Sequence, residues 1–330
     1  MDKVKLGIIG CGGIMHGFHA QHLKTFEDVE VVAVADPIES RRAAVAQMLG
    51  AKRQYVDHRA LYEGERELDA VYICVPPACH DGTEEPAIER GWSFLVEKPM
   101  TLCPDHADSL NAAITKAGIV TQVGFQDRYL DTTEMMKDQL KAMQVGMVYG
   151  YWVGGIPGVD WWRKQATSGG QVVEQNIHLV DLLRYLFGEP AVVYAAQGQG
   201  IITQEMCPGY DVADYSSATI TFQSGVVATL HTACFIGDEG SGIRNGLTVI
   251  GRDQSMEYLL RDSLTIHAKK QQQYFGVRVN QGILEDRAFI DAVKKHDPTA
   301  VRSPYSDAIK SLKLGFAINK SMESGLPVKL

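Results

Sequence analysis

The sequence has no pair of cysteines at C-x-x-C spacing. Its six cysteines, Cys11, Cys74, Cys79, Cys103, Cys207 and Cys234, are scattered over 330 residues. That argues against a disulfide framework or a thiolate zinc site and for free thiols in a reducing compartment, so a cytoplasmic protein is expected. Positive charge is in deficit, 32 basic residues against 40 acidic, a formal −8. A broad nucleic-acid-binding face is therefore not expected. No window approaches the length of a membrane span, and the apolar run near the start breaks into glycines too soon for a signal peptide. Internal repeats and low-complexity tracts are also missing. What remains is an ordinary globular composition, 45% apolar and 22% charged, in a chain long enough for two domains.

The first third alternates short apolar runs with helical patterns. Val4–Ile9, Val29–Ala35, Tyr55-Val56, Leu68–Val75, Ser93–Val96 and Ile119–Phe125 read as six strands of a doubly wound parallel sheet, an α/β domain. The first strand stops at Gly10-Cys11-Gly12-Gly13-Ile14-Met15, a helical pattern follows, and the second strand ends at Asp36. Gly10 permits a tight turn, Gly12 lets a pyrophosphate approach the backbone, and the helix N-terminus supplies N–H groups and a favourable dipole. Met15 occupies the third glycine position of G-x-G-x-x-G, which should loosen helix–strand packing without abolishing phosphate binding. Asp36, 21 residues after Met15, stands where a carboxylate accepts ribose hydroxyls. It favours NAD over NADP, while Arg41 and Arg42 keep NADP open. Candidate cofactor contacts are thus Gly10, Gly12, Gly13, Ile14, Met15, Asp36 and Arg41. Val75, Pro76 and His80 join them beyond the fourth strand, where His80 reads equally well as a solvated loop histidine.

The stretch Trp92–Pro99 is a buried strand running directly into Glu97-Lys98-Pro99. Charged residues at the carboxyl end of a covered parallel strand lie where open α/β sheets bind ligands. Pro99 restricts Lys98 to extended backbone and allows a cis bond, so the ammonium can be aimed. A surface Glu-Lys pair is the bland alternative. Glu97 and Lys98 complete the candidate cofactor set.

After Gly124 the pattern changes. A long loop holds Trp161, Trp162 and Arg163, whose rings and guanidinium suit a sugar-like ligand, although burial in an oligomer contact explains the tryptophans as well. Gly169-Gly170 leads into a predicted helix from Val172 to Phe187. On it Glu174, His178 and Asp181 fall at i, i+4 and i+7, one face, opposite an apolar stripe of Val173, Ile177, Val180, Leu183 and Leu186. A polar face, acid–base catalysis through the histidine, and a metal site are the competing readings. The metal is the weakest, for want of a second ligand cluster. Beyond Pro190 six β-rich runs, one hairpin turning at Gln223-Ser224-Gly225, predict a largely antiparallel sheet open on one face, which is commonly buried against another subunit. Two helices, Ile283–Lys295 and Ser306–Ser324, close the chain. The expected division is residues 1–124 and 125–330, the closing helices free to pack back on the first domain.

Taken together, GIIGCGGIMH, VYICVPPACH, GWSFLVEKPM, VGFQDRY, SGGQVVEQNIHLVDLLRYLFG and SMESGLPVKL resemble the Gfo/Idh/MocA oxidoreductases, in family order from residue 7 to residue 330. The resemblance implies a Rossmann domain followed by an α+β domain on an open, mostly antiparallel sheet, in homodimers or homotetramers built through that sheet. It implies hydride transfer between NAD(P) and a hydroxyl-bearing carbon of a sugar, inositol or related polyol, with no metal. The family lysine maps to Lys98 and the family histidine to His178. The acid four residues before it, commonly aspartate, is here Glu174. Catalysis is then expected from Lys98, His178 and Glu174, with Lys98, Gln126, Tyr129, Trp161, Trp162, Arg163 and His178 against the substrate. A non-catalytic NAD(H)- or sugar-binding regulator and an NAD-dependent glycosidase of related fold are the alternatives.

Overall fold

The structure is a computed structural model and describes residues 3–237, 240 and 242–330. It divides into two compact units, one of residues 1–129 with 280–309, the other of residues 130–279 with 310–330. The division differs from a simple cut at 124/125. The helix Gln281–Lys295 supplies Phe289, Ile290, Ala292 and Val293 to the same buried cluster as Val4, Leu6, Ile8 and Val34. Burial of that apolar face ties a distant stretch of chain to the first unit.

In the first unit a six-stranded parallel sheet runs β3-β2-β1-β4-β5-β6, with β1 Val4–Ile9, β2 Val29–Ala35, β3 Arg53–Tyr55, β4 Ala70–Ile73, β5 Ser93–Val96 and β6 Thr121–Val123. Every residue of β4 and β5 is buried, as their unbroken apolar runs require of strands covered on both faces. The order reverses between β1 and β4, so a crevice opens there at the carboxyl ends of the strands. The glycine turn after β1, Asp36 after β2, Val75-Pro76 after β4 and Glu97-Lys98 after β5 all issue from that edge.

The second unit holds a nine-stranded sheet in the order β14-β13-β12-β11-β7-β10-β9-β8-β15. These are β7 Val145–Val153, β8 Pro190–Gly198, β9 Tyr215–Phe222, β10 Val227–Ala233, β11 Gly246–Gly251, β12 Gln254–Leu259, β13 Ser263–Ala268, β14 Gln271–Gly276 and β15 Val328–Lys329. All pairs are antiparallel except β7 with β10. Strand β9 alternates exposed and buried along its whole length, the mark of a sheet packed on one side. The expected helix Val172–Phe187 is two helices, Gly170–Glu174 and Ile177–Phe187, broken at Gln175 and Asn176. There the Asn176 N–H reaches back five residues to the Gln171 carbonyl. The second helix is buried on every side from Ile177 to Arg184, so His178, Asp181 and Arg184 do not form a solvated face, while Leu186 of the expected core stripe is only half-buried. None of the helices among the described residues is long and apolar enough to cross a membrane.

Candidate active site

The glycine turn is built for close approach. Gly10 has φ 89°, and a Cβ there would strike the Cys74 carbonyl of the neighbouring strand, so only glycine fits. At Gly12 and Gly13 a Cβ would meet nothing within 4 Å, which leaves the turn open to a ligand. Asp36 accepts the N–H of Cys11 through one carboxylate oxygen and that of Ile38 through the other, both at 2.8 Å. Each oxygen keeps a lone pair for a ribose hydroxyl. Burial first, then the Asp36 charge, pushes the Cys11 thiol up to about 12, so it stays protonated and inert. Met15 is fully buried and opens a π-helical turn, Met15–His19. The wider turn thus begins at the residue that stands in the third glycine position. Arg41 is exposed, and it is Arg42 that donates to the Asp36 carbonyl, at 3.0 Å. Val75 and Pro76 are half-buried at the strand end. The residues present fit a dinucleotide.

Lys98 follows directly on β5, half-buried, in a cis bond to Pro99. Glu97, expected as a cofactor contact, has both carboxylate oxygens engaged within the first unit. It is buried, one oxygen accepting the Lys98 N–H at 3.1 Å and the other lying 3.1 Å from His19 Nε2. Gly124 makes room for it, since a Cβ there would run into the carboxylate. His19 Nδ1 lies 2.7 Å from Asp286, which also holds His22 Nδ1 at 2.7 Å and accepts the Tyr72 hydroxyl at 3.2 Å. His19 and Asp286 escape a motif search because each is an isolated residue 267 positions from the other. Their only sequence signal is a histidine and an acid on the buried faces of helices.

His178 is buried, its ring stacked 6.1 Å from Trp152 at an interplanar angle of 15°. Glu174 accepts the Trp162 indole N–H at 2.6 Å. Trp162 itself is buried among Ile202, Cys207, Tyr210, Val212 and Cys234. It is a core residue that holds Glu174, not a ring offered to a sugar, whereas Trp161 and Arg163 are half-buried, Arg163 pairing with Asp160 at 3.0 Å. Asp181, expected on the same helix face as Glu174 and His178, accepts the Ser311 hydroxyl at 2.6 Å, and Ser311 in turn accepts from Arg184.

Three other expectations change with the geometry. Tyr129, expected against the substrate, is buried, its hydroxyl donating to Gln122 at 3.0 Å and accepting the Arg302 N–H at 2.9 Å, so it braces the first unit. Gln126 is buried and accepts from Gln281 at 3.0 Å. His80 is not a solvated loop residue. Its Nδ1 lies 2.6 Å from Glu84, whose carboxyl, against the effect of burial, is held below the ordinary range by His80 and the Thr83 hydroxyl.

Residues 4–125 match the pattern described as the oxidoreductase family with an NAD-binding Rossmann fold, and residues 142–257 match the Gfo/Idh/MocA C-terminal domain. The chain belongs to the Gfo/Idh/MocA oxidoreductase family. It is 28% identical to a scyllo-inositol 2-dehydrogenase (NAD(+)) of Bacillus subtilis, over 99% of this chain and 96% of that one. It is 26% identical to a myo-inositol 2-dehydrogenase of Thermotoga maritima, over 99% and 98%. Among solved structures, a levoglucosan dehydrogenase complexed with NADH superimposes with a TM-score of 0.86 at 18% identity, covering 99% of each chain, which speaks to the fold. This Gfo/Idh/MocA chain is therefore an NAD(P)-dependent oxidoreductase acting on CH–OH groups.

Proposed function

We propose that this oxidoreductase acts on a hydroxyl-bearing carbon of an inositol, a sugar or a related polyol, with Lys98 and His178 as the groups that handle the substrate hydroxyl. The observation that carries the reading is the position of Lys98 at the same strand-end edge as the open glycine turn and Asp36. The named activities of the inositol dehydrogenase relatives support the substrate class. NAD supplies the hydride acceptor. The N–H groups of the glycine turn hold its pyrophosphate and Asp36 its ribose. His178 takes the hydroxyl proton as general base. Lys98 stabilises the alkoxide character that develops in the transition state. Glu174, held by Trp162, is the orienting carboxylate, and Trp161 and Arg163 take up the sugar's apolar face and hydroxyls.

The reading extends to a cytoplasmic homo-oligomer formed through the open face of the second sheet, supported by the exposed Met147, Tyr194 and Val227. The test is reduced-nicotinamide absorbance with NAD or NADP and a panel of inositols, aldoses and sugar acids. Turnover is expected with one class, and His178→Ala and Lys98→Met should each lower it by about two to four powers of ten. NADH binding should stay near wild type in both. No turnover across the panel despite tight NADH binding would sink the substrate assignment, and release of free sugar from a glycoside without net reduction would replace it.

A further inference from the structure

We propose that His19 is a positioning residue for Lys98. Clamped between Asp286 and Glu97, it fixes the Glu97 carboxylate against the Lys98 N–H and ties the strand end carrying Lys98 to the helix of the dinucleotide turn. The inference rests on the assignment of Lys98 made above.

The geometry begins with donor counting. Each ring nitrogen of His19 faces a carboxylate oxygen, Asp286 at 2.7 Å and Glu97 at 3.1 Å. Ionised carboxylates only accept, and a neutral imidazole has one N–H to give, so satisfying both requires the doubly protonated ring. Burial opposes a charge on His19, but the Asp286 charge, with hydrogen bonds to both acids, holds its pKa well above 6.5. The charged and titratable groups around it come from four other directions: His22 one turn on, Tyr72 and Cys74 from β4 and its end, Asp127 after β6, and Glu285 beside Asp286. The imidazolium faces both Glu97 and Asp286 and offsets one unit of their negative charge. Glu285 is pushed well above 4.5, by burial first and then by the Glu97 charge, so it is the acid that stays neutral.

An imidazolium between two buried carboxylates is costly to assemble and strongly directional once made. Glu97 consequently has little freedom. One oxygen is held by His19, the other by the Lys98 N–H, and Gly124 lies against the carboxylate with no Cβ. The Lys98 side chain therefore leaves a backbone whose amide is pinned. The far end of the pin is the π-helical turn Met15–His19, which begins two residues after Gly13. The backbone that cradles the dinucleotide and the backbone that aims the ammonium are thereby one rigid assembly in the first unit.

Three variants test the clamp: His19→Gln, the isosteric Glu97→Gln, and Lys98→Met. In protein carrying 13C-labelled lysine, the Lys98 Cε signal is the one absent from Lys98→Met. His19→Gln and Glu97→Gln should both move that signal in the folded protein. Turnover of the panel substrate should fall about tenfold to hundredfold, as expected for a catalytic group displaced by up to an ångström. NADH affinity, read from nicotinamide fluorescence, should change by less than about threefold, since the cradle's own N–H groups are intact. A purely structural role would lower thermal stability and leave the Lys98 signal of the folded protein where it was; that result in both variants, or in Glu97→Gln if His19→Gln fails to fold, overturns the proposal. Loss of turnover in Lys98→Met with an unmoved signal in the other two refutes the clamp alone. Full turnover in Lys98→Met refutes the role of Lys98, and the clamp's purpose with it.

Discussion

Glu285 is a carboxyl with no exposed surface and, among the described residues, no hydrogen-bond partner for either oxygen. A buried ionised carboxylate in that state would cost several kcal/mol, and the group avoids the cost by staying protonated. The consequence for stability has a definite sign. In the unfolded chain Glu285 ionises through its ordinary value of 4.5, whereas in the folded protein it does not until well above it. Its contribution is fully present below 4.5 and is lost as pH rises through the raised folded value. The loss runs at about 1.4 kcal/mol per pH unit within that window. Glu285→Gln, which has no proton to lose, should be more stable than the wild type at pH 8 in urea unfolding, with the advantage narrowing towards pH 5. An equal offset at both pH values would mean that Glu285 is ionised in the folded protein. His19 acts in the same direction but from about 6.5 upward, so this slope outlasts the Glu285 substitution at alkaline pH. These residues also mark the limit of sequence reading. Lys98, His178 and the glycine turn are legible because a short motif carries each. Glu285, Asp286 and His19 acquire meaning only when a helix near residue 285 returns to the sheet that began at residue 4.

Elements were easier to read where burial imposes one pattern. β4 and β5 are covered on both faces, so an apolar run suffices, and Val4–Ile9 and Val29–Ala35 match to the residue. β14, QQQYFG, is a sheet-edge strand with a single partner and mostly exposed residues, so no apolar alternation marks it. The break at Gln175-Asn176 was hidden for another reason. Two helices joined by one turn keep nearly the same 3.6 periodicity, and only the buried polarity of Asn176, whose side-chain nitrogen and oxygen find no partner, betrays the joint. Glycines allow a test of which close approaches matter to the fold and which to a ligand. Gly124→Ala would place a Cβ 2.7 Å from the Glu97 carboxyl carbon, against a side chain held at both oxygens. It should cost about 1–3 kcal/mol as an overpacked site. Gly13→Ala meets no atom and sits at a helix start, so its stability should be unchanged or higher by about 0.4–1 kcal/mol while NADH affinity falls. The pair is checked by thermal unfolding and NADH titration. If both substitutions destabilise alike, the glycine turn is packed, not open.

At the scale of the whole molecule the outward face of the second sheet is the feature least explained by a lone chain. Residues opposite one another in register share a face, which sets Met147, Tyr149 and Tyr151 of β7 beside Val227, Thr229 and His231 of β10. Continuing across the pairings adds Thr219 of β9, Tyr194 of β8 and Ile250 of β11 to the same side. The opposite side carries Val148, Leu230, Ile220 and Val193, all buried. A β-sheet needs cover on one face only, and threonine-rich strands tolerate water on the other. The oligomer proposed above would cover a run of methionine, valine, isoleucine and tyrosine on this face. In a two-fold contact every residue on the face acts twice, so a charge placed at its centre is doubled. The double variant Met147→Lys/Val227→Lys, altering two directly paired positions, should shift the protein from dimer or tetramer to monomer in sedimentation velocity. Its NADH affinity should be unchanged, because Gly12, Gly13 and Asp36 belong to the other unit. A wild-type chain that is already monomeric at micromolar concentration would leave that apolar face without a subunit contact to explain it, and the oligomer reading would fall.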